Sequence, residues 1–237
     1  MPESTPVPDA RTVLVEDRDE LRRVTLQRAP TNALSGPEYV AVRAAFEVPG
    51  AARVCVLRGR GRFFCSGQDL DEAAAMTVDE MAMHLTSSGA AIAAAARSPI
   101  PLVTIVNGPA VGAGALLVAL SDVVVMSDLA WLSFPEAHYG LPLGLSLLSR
   151  FVPERLARQL MATGSRISAD RLASLGAVDH VVPVADLDEV AENVIADLIA
   201  LPVKMSEWLH DTPERGRRAN DYLDELSHTV AARDWRL

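Results

Sequence analysis

Cysteine is scarce: Cys55 and Cys65 are the only two in 237 residues. So few exclude a disulfide-stapled scaffold and suit a reducing cytosol, so a cytoplasmic location is expected. The count leaves one bridge between them open. No apolar run reaches the ~18 residues that a membrane-spanning helix needs, so no membrane partner is expected. Basic residues are outnumbered, 22 Lys+Arg against 31 Asp+Glu, for a formal net charge of −9. That balance argues against general nucleic-acid binding, which relies on neutralising phosphates. The start, MPESTPVPDARTV, lacks the basic stretch and apolar core of a targeting peptide, and residues 1–11 are expected to be a flexible lead-in.

Familiar cofactor and nucleophile signatures are missing too. Gly108, Gly112 and Gly114 do not form G-x-G-x-x-G, and no G-K-[ST] follows them. Ser66 lies in CSGQ, not in G-x-S-x-G. The histidines, His84, His138, His180, His210 and His228, have no metal-ligand spacing with one another or with the cysteines, so no metal site is expected.

What is present is a chain with 49% apolar residues, enough for a core without staples. β-Branched runs at 12–16, 21–28, 53–59, 101–106, 122–126, 131–134 and 178–183 read as strands. Ser35-Gly-Pro-Glu38 and Thr77-Val-Asp-Glu80 have capping-box spacing and predict helices to about Phe46 and over 77–97. Further helices are expected after Pro142-Leu-Gly through about Met161, over 167–176 with Gly176 as C-cap, and from Asp186 to about Leu201. Strand and helix alternate, which predicts an α/β fold with a largely parallel sheet. The core is set at 12–201, with a helical region at 202–237 that could pack as a separate piece.

Two segments ask for a chemical reading. In NGPAVGAGALLVAL (107–120), small residues open a helix at a point where glycine weakens it. Either they allow close helix–strand packing, or they bare backbone N–H groups for an oxyanion. FFCSGQDL (63–70) follows another strand with the same small-residue character. Cys65 there is either a small filler or a reactive thiol.

The ordered set of four segments resembles the crotonase (enoyl-CoA hydratase/isomerase) superfamily. FFCSGQDL and NGPAVGAGALL are similar to its two oxyanion loops, RAPTNALS (28–35) to its N-terminal signature, and SFPEAHYGLPLG to the segment with a catalytic acid. The resemblance covers roughly residues 12–200. It implies a fold of repeated ββα units and an acyl-CoA or pantetheine-linked substrate, with no cofactor besides the coenzyme A of that substrate. It implies that the N–H groups of Gln68 and Ala113 bind a thioester oxygen, and that Glu136 is the acid/base. Ala29, Ser66, Gln68, Asp69, Leu70, Asp71, Gly112 and Leu116 would lie along the substrate, Asp69 fixing its loop rather than reacting.

The first of the two glutamates of family hydratases falls at Leu116, which cannot activate water. A lone Glu136 therefore points to Δ3,Δ2-enoyl-CoA isomerisation. Hydration, C–C hydrolysis or decarboxylation stays open if His138, Tyr139, Asp71 or Glu72 supplies a second group, as does a non-catalytic acyl-CoA-binding subunit. Arg28, Arg58, Arg60, Arg62 and Lys204 are candidates for the CoA phosphates. A homotrimer or a dimer of trimers is implied, with Trp208, Leu209, Tyr222, Leu223 and Leu226 either at its interfaces or packed within the chain.

Overall fold

The structure, a computed structural model, describes residues 12–47, 50–210, 213–233 and 235, and only the backbone at 207–210. The lead-in at 1–11 and the side chains of Trp208 and Leu209 lie outside the described residues.

A six-stranded sheet runs through the molecule in the order β1-β2-β3-β4-β6-β9. These strands are β1 (Val13–Arg18), β2 (Leu21–Leu26), β3 (Val54–Gly59), β4 (Leu102–Val106), β6 (Val123–Ser127) and β9 (His180–Val182). β1 and β2 form an antiparallel hairpin, and every later pairing is parallel. Alternation sends β3 side chains to two cores. Cys55 and Leu57 join the main core, whereas Val54 and Val56 meet Val103, Ile105 and Val125 under Leu187, Ala191 and Ile195. Those last three lie on α8 (Leu187–Ala200). Burial on both faces is why these strands read as unbroken apolar runs.

The capping signals act locally. Thr77 and Glu80 complete a capping box: the Glu80 N–H donates to Thr77 Oγ1 at 3.3 Å and the Thr77 N–H to Glu80 Oε2 at 2.8 Å. They open α3 (Val78–Ala96). At Ser35 only half the box forms. Glu38 accepts the Ser35 N–H at 2.9 Å, but the Ser35 hydroxyl also donates to Glu38. α1 (Gly36–Glu47) follows.

Three expectations need correction. The single helix through Met161 is two, α5 (Leu145–Phe151) and α6 (Glu154–Thr163), because Pro153 cannot continue a hydrogen-bonded turn. The segment from Ile167 opens as a short strand, β8 (Ile167–Ser168), before α7 (Ala169–Ser174). The tail is helical, as α9 (Val203–His210) and α10 (Pro213–Ala232), but α10 is no separate piece. Its Ala219, Tyr222 and Leu226 belong to the main core, and Leu223 packs against it. Arg215 on α10 donates to the Ser98 carbonyl and pairs with Asp122, and Glu225 accepts the N–H groups of Gly144 and Ser146 at 2.8 and 2.7 Å. α10 thereby caps the start of α5.

A second, three-stranded sheet went unread as a unit: β5 (Ala110–Val111), β7 (Trp131–Ser133) and β8. Among the described residues no helix is long and apolar enough to cross a membrane. Cys55 and Cys65 are both free and buried.

Candidate active site

The small sheet builds the site. β5 and β7 run parallel, with Ala110 opposite Leu132 and Val111 opposite Ser133. Parallel partners leave the sheet at the same edge. Gly112 and Ala113 therefore emerge beside Phe134, Pro135 and Glu136. A parallel bridge from Cys65 to Ala110 lays the 65–68 loop along the other side of β5, and a bridge from Leu34 to Gln68 lays the 28–35 segment outside that. Four segments distant in sequence thus run side by side.

The 28–35 segment is a brace. Thr31 O accepts the Ser66 N–H at 3.0 Å, and Leu34 donates to Gly67 O at 2.7 Å and accepts from Asp69 at 3.0 Å. Buried Asn32 donates to the carbonyls of Arg60, Phe63 and Phe64 at 3.0, 2.9 and 3.1 Å. With both neighbours of Gln68 turned toward Leu34, its own N–H faces the other way. Among the described residues neither the Gln68 N–H nor the Ala113 N–H has a partner in the chain. Ala113 is the first residue of α4 (Ala113–Ala119), where an N–H has no intrahelical partner and the dipole is positive.

Glycine lets these segments approach. A Cβ on Gly67, at φ +83°, would stand 2.6 Å from Val111 O and 3.4 Å from Ala113 N. A Cβ on Gly114 would stand 2.6 Å from Cys65 O. The close-packing reading of the glycine-rich stretch holds: the missing side chains let the 65–68 loop lie against the backbone that carries the Ala113 amide. Cys65 is the filler, fully buried, with burial pushing its thiol up to about 12.

Glu136 opens a short 3₁₀ turn, 136–139, after β7. It is 9% exposed, and neither carboxylate oxygen has a hydrogen-bond partner among the described residues. Burial disfavours its charged form and raises its pKa to about 7. A Cβ on Gly112 would lie 3.3 Å from Glu136 Oε1, so the carboxylate sits against the backbone that leads to the Ala113 amide.

These groups line one cavity. Of the expected site residues, Glu136, Gln68, Ala113, Ser66, Leu70, Gly112 and Leu116 border it. Glu136 is its one acidic residue among the described residues. Ala29, Asp69 and Asp71 do not line it. Asp69 caps α2 (Leu70–Ala74), accepting the Asp71 and Glu72 N–H groups at 3.0 Å each, and pairs with Arg28 at 2.6 Å. Asp71 points to solvent and Ala29 is exposed. Among the described residues no group of three or more His, Cys, Asp and Glu could hold a metal ion.

A family model for enoyl-CoA hydratase/isomerase matches residues 16–222. The chain belongs to the enoyl-CoA hydratase/isomerase family. A (7aS)-7a-methyl-1,5-dioxo-2,3,5,6,7,7a-hexahydro-1H-indene-carboxyl-CoA hydrolase of Rhodococcus jostii is 34% identical over 78% of this chain and 73% of its own. An enoyl-CoA hydratase/isomerase of Mycobacterium paratuberculosis superposes with a TM-score of 0.80 at 29% identity, covering 94% of this chain and 92% of that one. A Thermobifida fusca protein solved with acetoacetyl-CoA has a TM-score of 0.78 at 25% identity, covering 92% and 95%.

Within this family fold, the other candidate groups except Tyr139 are placed apart from the cavity or engaged elsewhere. His138 is exposed and its Nε2 lies 3.3 Å from Ala162 O, away from the cavity. Glu72 accepts the Gly36 N–H at 3.1 Å. Tyr139 does line the cavity. Arg58 pairs with Asp188 at 3.0 Å and Arg60 donates to Gln27 at 3.2 Å, while Arg62 and Lys204 are exposed. Sequence reasoning missed Tyr39, Leu85, Ser88, Leu141 and Leu143 as lining residues. It also missed His84, whose Nε2 donates to Gln68 Oε1 at 2.8 Å, where the Tyr39 hydroxyl donates at 3.3 Å. Burial lowers the His84 pKa, so it holds Gln68 as a neutral ring. The spacing of Leu85 and Ser88 on α3 carried no signal beyond ordinary helix patterning.

Proposed function

We propose that this protein moves a proton at the carbon beside an acyl-CoA thioester, and that its reaction is Δ3,Δ2-enoyl-CoA isomerisation. One observation supports this most: Glu136, the one carboxylate of the cavity among the described residues, is unpartnered and shifted to about 7, and it shares the cavity with Gln68 and Ala113, whose backbone N–H groups are unpartnered. A base with a pKa near neutrality removes and returns protons efficiently. Glu136 takes a proton from C2 of a 3-enoyl-CoA. The thioester oxygen gains charge and accepts from the Gln68 and Ala113 N–H groups. Glu136 then delivers the proton to C4, so the double bond moves and the carboxylate is restored. Leu116 lines the cavity where a second carboxylate would be needed to orient water. The scheme needs no group besides the chain and the coenzyme A of the substrate.

The test is C2 proton–deuterium exchange and product analysis with 3-enoyl-CoAs. Wild type should exchange and isomerise, and Glu136→Gln should lose both by at least about 10²-fold. Wild-type exchange in Glu136→Gln would remove Glu136 from the reaction.

A second reading is hydrolysis, here taken as C–C hydrolysis, favoured in that the Rhodococcus relative is named a CoA hydrolase, with Tyr139 in the same cavity as Glu136 as the second polar group. It predicts hydrolysed, ring-opened or shortened acyl products where isomerisation predicts a shifted double bond.

A further inference from the structure

The cavity holds more hydroxyls than a plain hydrocarbon chain would use. Five line it: Tyr39, Ser66, Ser88, Tyr139 and Tyr222. Three are committed to the chain. The Tyr39 hydroxyl donates to Gln68 Oε1 at 3.3 Å, Ser66 to Thr31 Oγ1 at 2.9 Å and Ser88 to Leu85 O at 2.9 Å. Tyr139 is partly exposed and within reach of solvent. Tyr222 differs from all four. It is 3% exposed and has no hydrogen-bond partner among the described residues.

Tyr222 is also held rigidly. It sits on α10, which is fixed two ways around it: Arg215 by Ser98 and Asp122, Glu225 by the N–H groups of Gly144 and Ser146. Burial and the nearby charge of Glu136 both push its phenol above the ordinary range, so the group is a donor and not a base. Leu85, Leu116, Leu141 and Leu143 form the apolar wall of the same cavity. A hydrocarbon acyl group filling it would leave the phenol O–H dry and unpaired, a state that proteins rarely tolerate.

We propose that the Tyr222 hydroxyl donates to an oxygen of the acyl group, so that the substrate is a CoA thioester with an oxo or hydroxyl function beyond its thioester carbonyl. This rests on the cavity being the acyl site of the proposed reaction. Tyr222 is then a specificity residue: it selects among acyl groups that Glu136 and the two amides treat alike.

The probes are hexanoyl-CoA and its 3-oxo, 4-oxo and 5-oxo analogues, with affinity measured by calorimetry. Wild type should bind at least one oxo analogue about tenfold more tightly than hexanoyl-CoA, the cost of stranding one buried donor. Tyr222→Phe should level that difference by weakening the oxo analogue. No preference in wild type, or a preference that Tyr222→Phe keeps, overturns the proposal. A second readout needs no variant: the ¹³C signal of a labelled keto carbon should move downfield on binding to wild type, and an unmoved signal for every analogue overturns it as well. Exchange at C2 of hexanoyl-CoA by wild type and Glu136→Gln is measured in parallel. Loss of the oxo preference with Glu136-dependent exchange intact defeats only this inference. Exchange that survives in Glu136→Gln defeats only the proposed reaction.

Discussion

At the scale of single residues, the proposed chemistry depends on groups that folding leaves unsatisfied. Glu136 is one, and its cost to the fold has a sign that can be measured. Its native pKa of about 7 is above the ordinary 4.5. The unfolded chain therefore ionises first, and the native state loses stability as pH rises from 4.5 to 7. The penalty is complete above that range, at roughly 3 kcal/mol. Glu136→Gln should melt at a higher temperature than wild type at pH 8, with little difference at pH 4.5, as read by thermal denaturation at both values. The same shift predicts that kcat/KM of wild type rises with pH through about 7 as the base form appears. Gly67 offers a second residue-level test. Alanine there must accept φ +83° and a Cβ 2.6 Å from Val111 O, so the Gln68 amide must swing away. Gly67→Ala should lose about 10²–10³ in kcat, the usual cost of one oxyanion donor. Gln68→Ala keeps the N–H and removes only its anchors on His84 and Tyr39, so its loss should be smaller. Steady-state kinetics on both variants checks the order.

At the scale of elements, α3 shows how a local weakness can serve a distant contact. Gly89 lies mid-helix, where glycine costs about 1 kcal/mol relative to alanine. A Cβ there would stand 2.1 Å from Leu226 Cδ2, so the glycine admits α10. Gly89→Ala should therefore destabilise the protein despite its better helix propensity, with a lower denaturant midpoint as the readout. Thr77→Ala is the contrasting case. It removes a cap remote from the cavity and should cost about 1 kcal/mol with C2 exchange retained. Much of this layer was legible in the sequence because its causes lie within a few residues. Thr77 and Glu80 marked the start of α3, and the Val and Ile runs marked β3, β4 and β6. The break at Pro153 was missed, because the helical pattern on both sides masked it. β5 and β8, two residues each, left no periodic signal, since only their partners across the small sheet define them.

At the scale of the whole molecule, α10 and the main core share one hydrophobic cluster. Removing everything after Leu201 would strip Ala219, Tyr222 and Leu226 from the main core and free the Asp122 carboxylate from Arg215. Such a truncation should bind a hydrophobic dye and lose its cooperative melt, whereas a separate helical appendage would leave both unchanged. The helical character of 213–232 was apparent from its pattern. Its docking on α3 was not, because the decisive features, the missing Cβ of Gly89 and the carbonyl of Ser98, matter only once the two helices meet.

The sequence by itself determined the family, the alternation of strands and helices, and the cavity residues that lie in the two small-residue loops and at Glu136, since each rests on short-range order or on motifs in a fixed series. Tertiary structure alone decided that Asp69 and Arg28 pair with each other, and that Tyr222 reaches the cavity of its own chain. It also decided that Glu136 stands buried and unpartnered in the cavity that Gln68 and Ala113 line. Those outcomes come from successive parallel pairings that link Leu34 to Gln68, Cys65 to Ala110 and Ala110 to Leu132, and from the docking of α10, and desolvation is a property of what surrounds a group in space, which no run of neighbouring letters encodes.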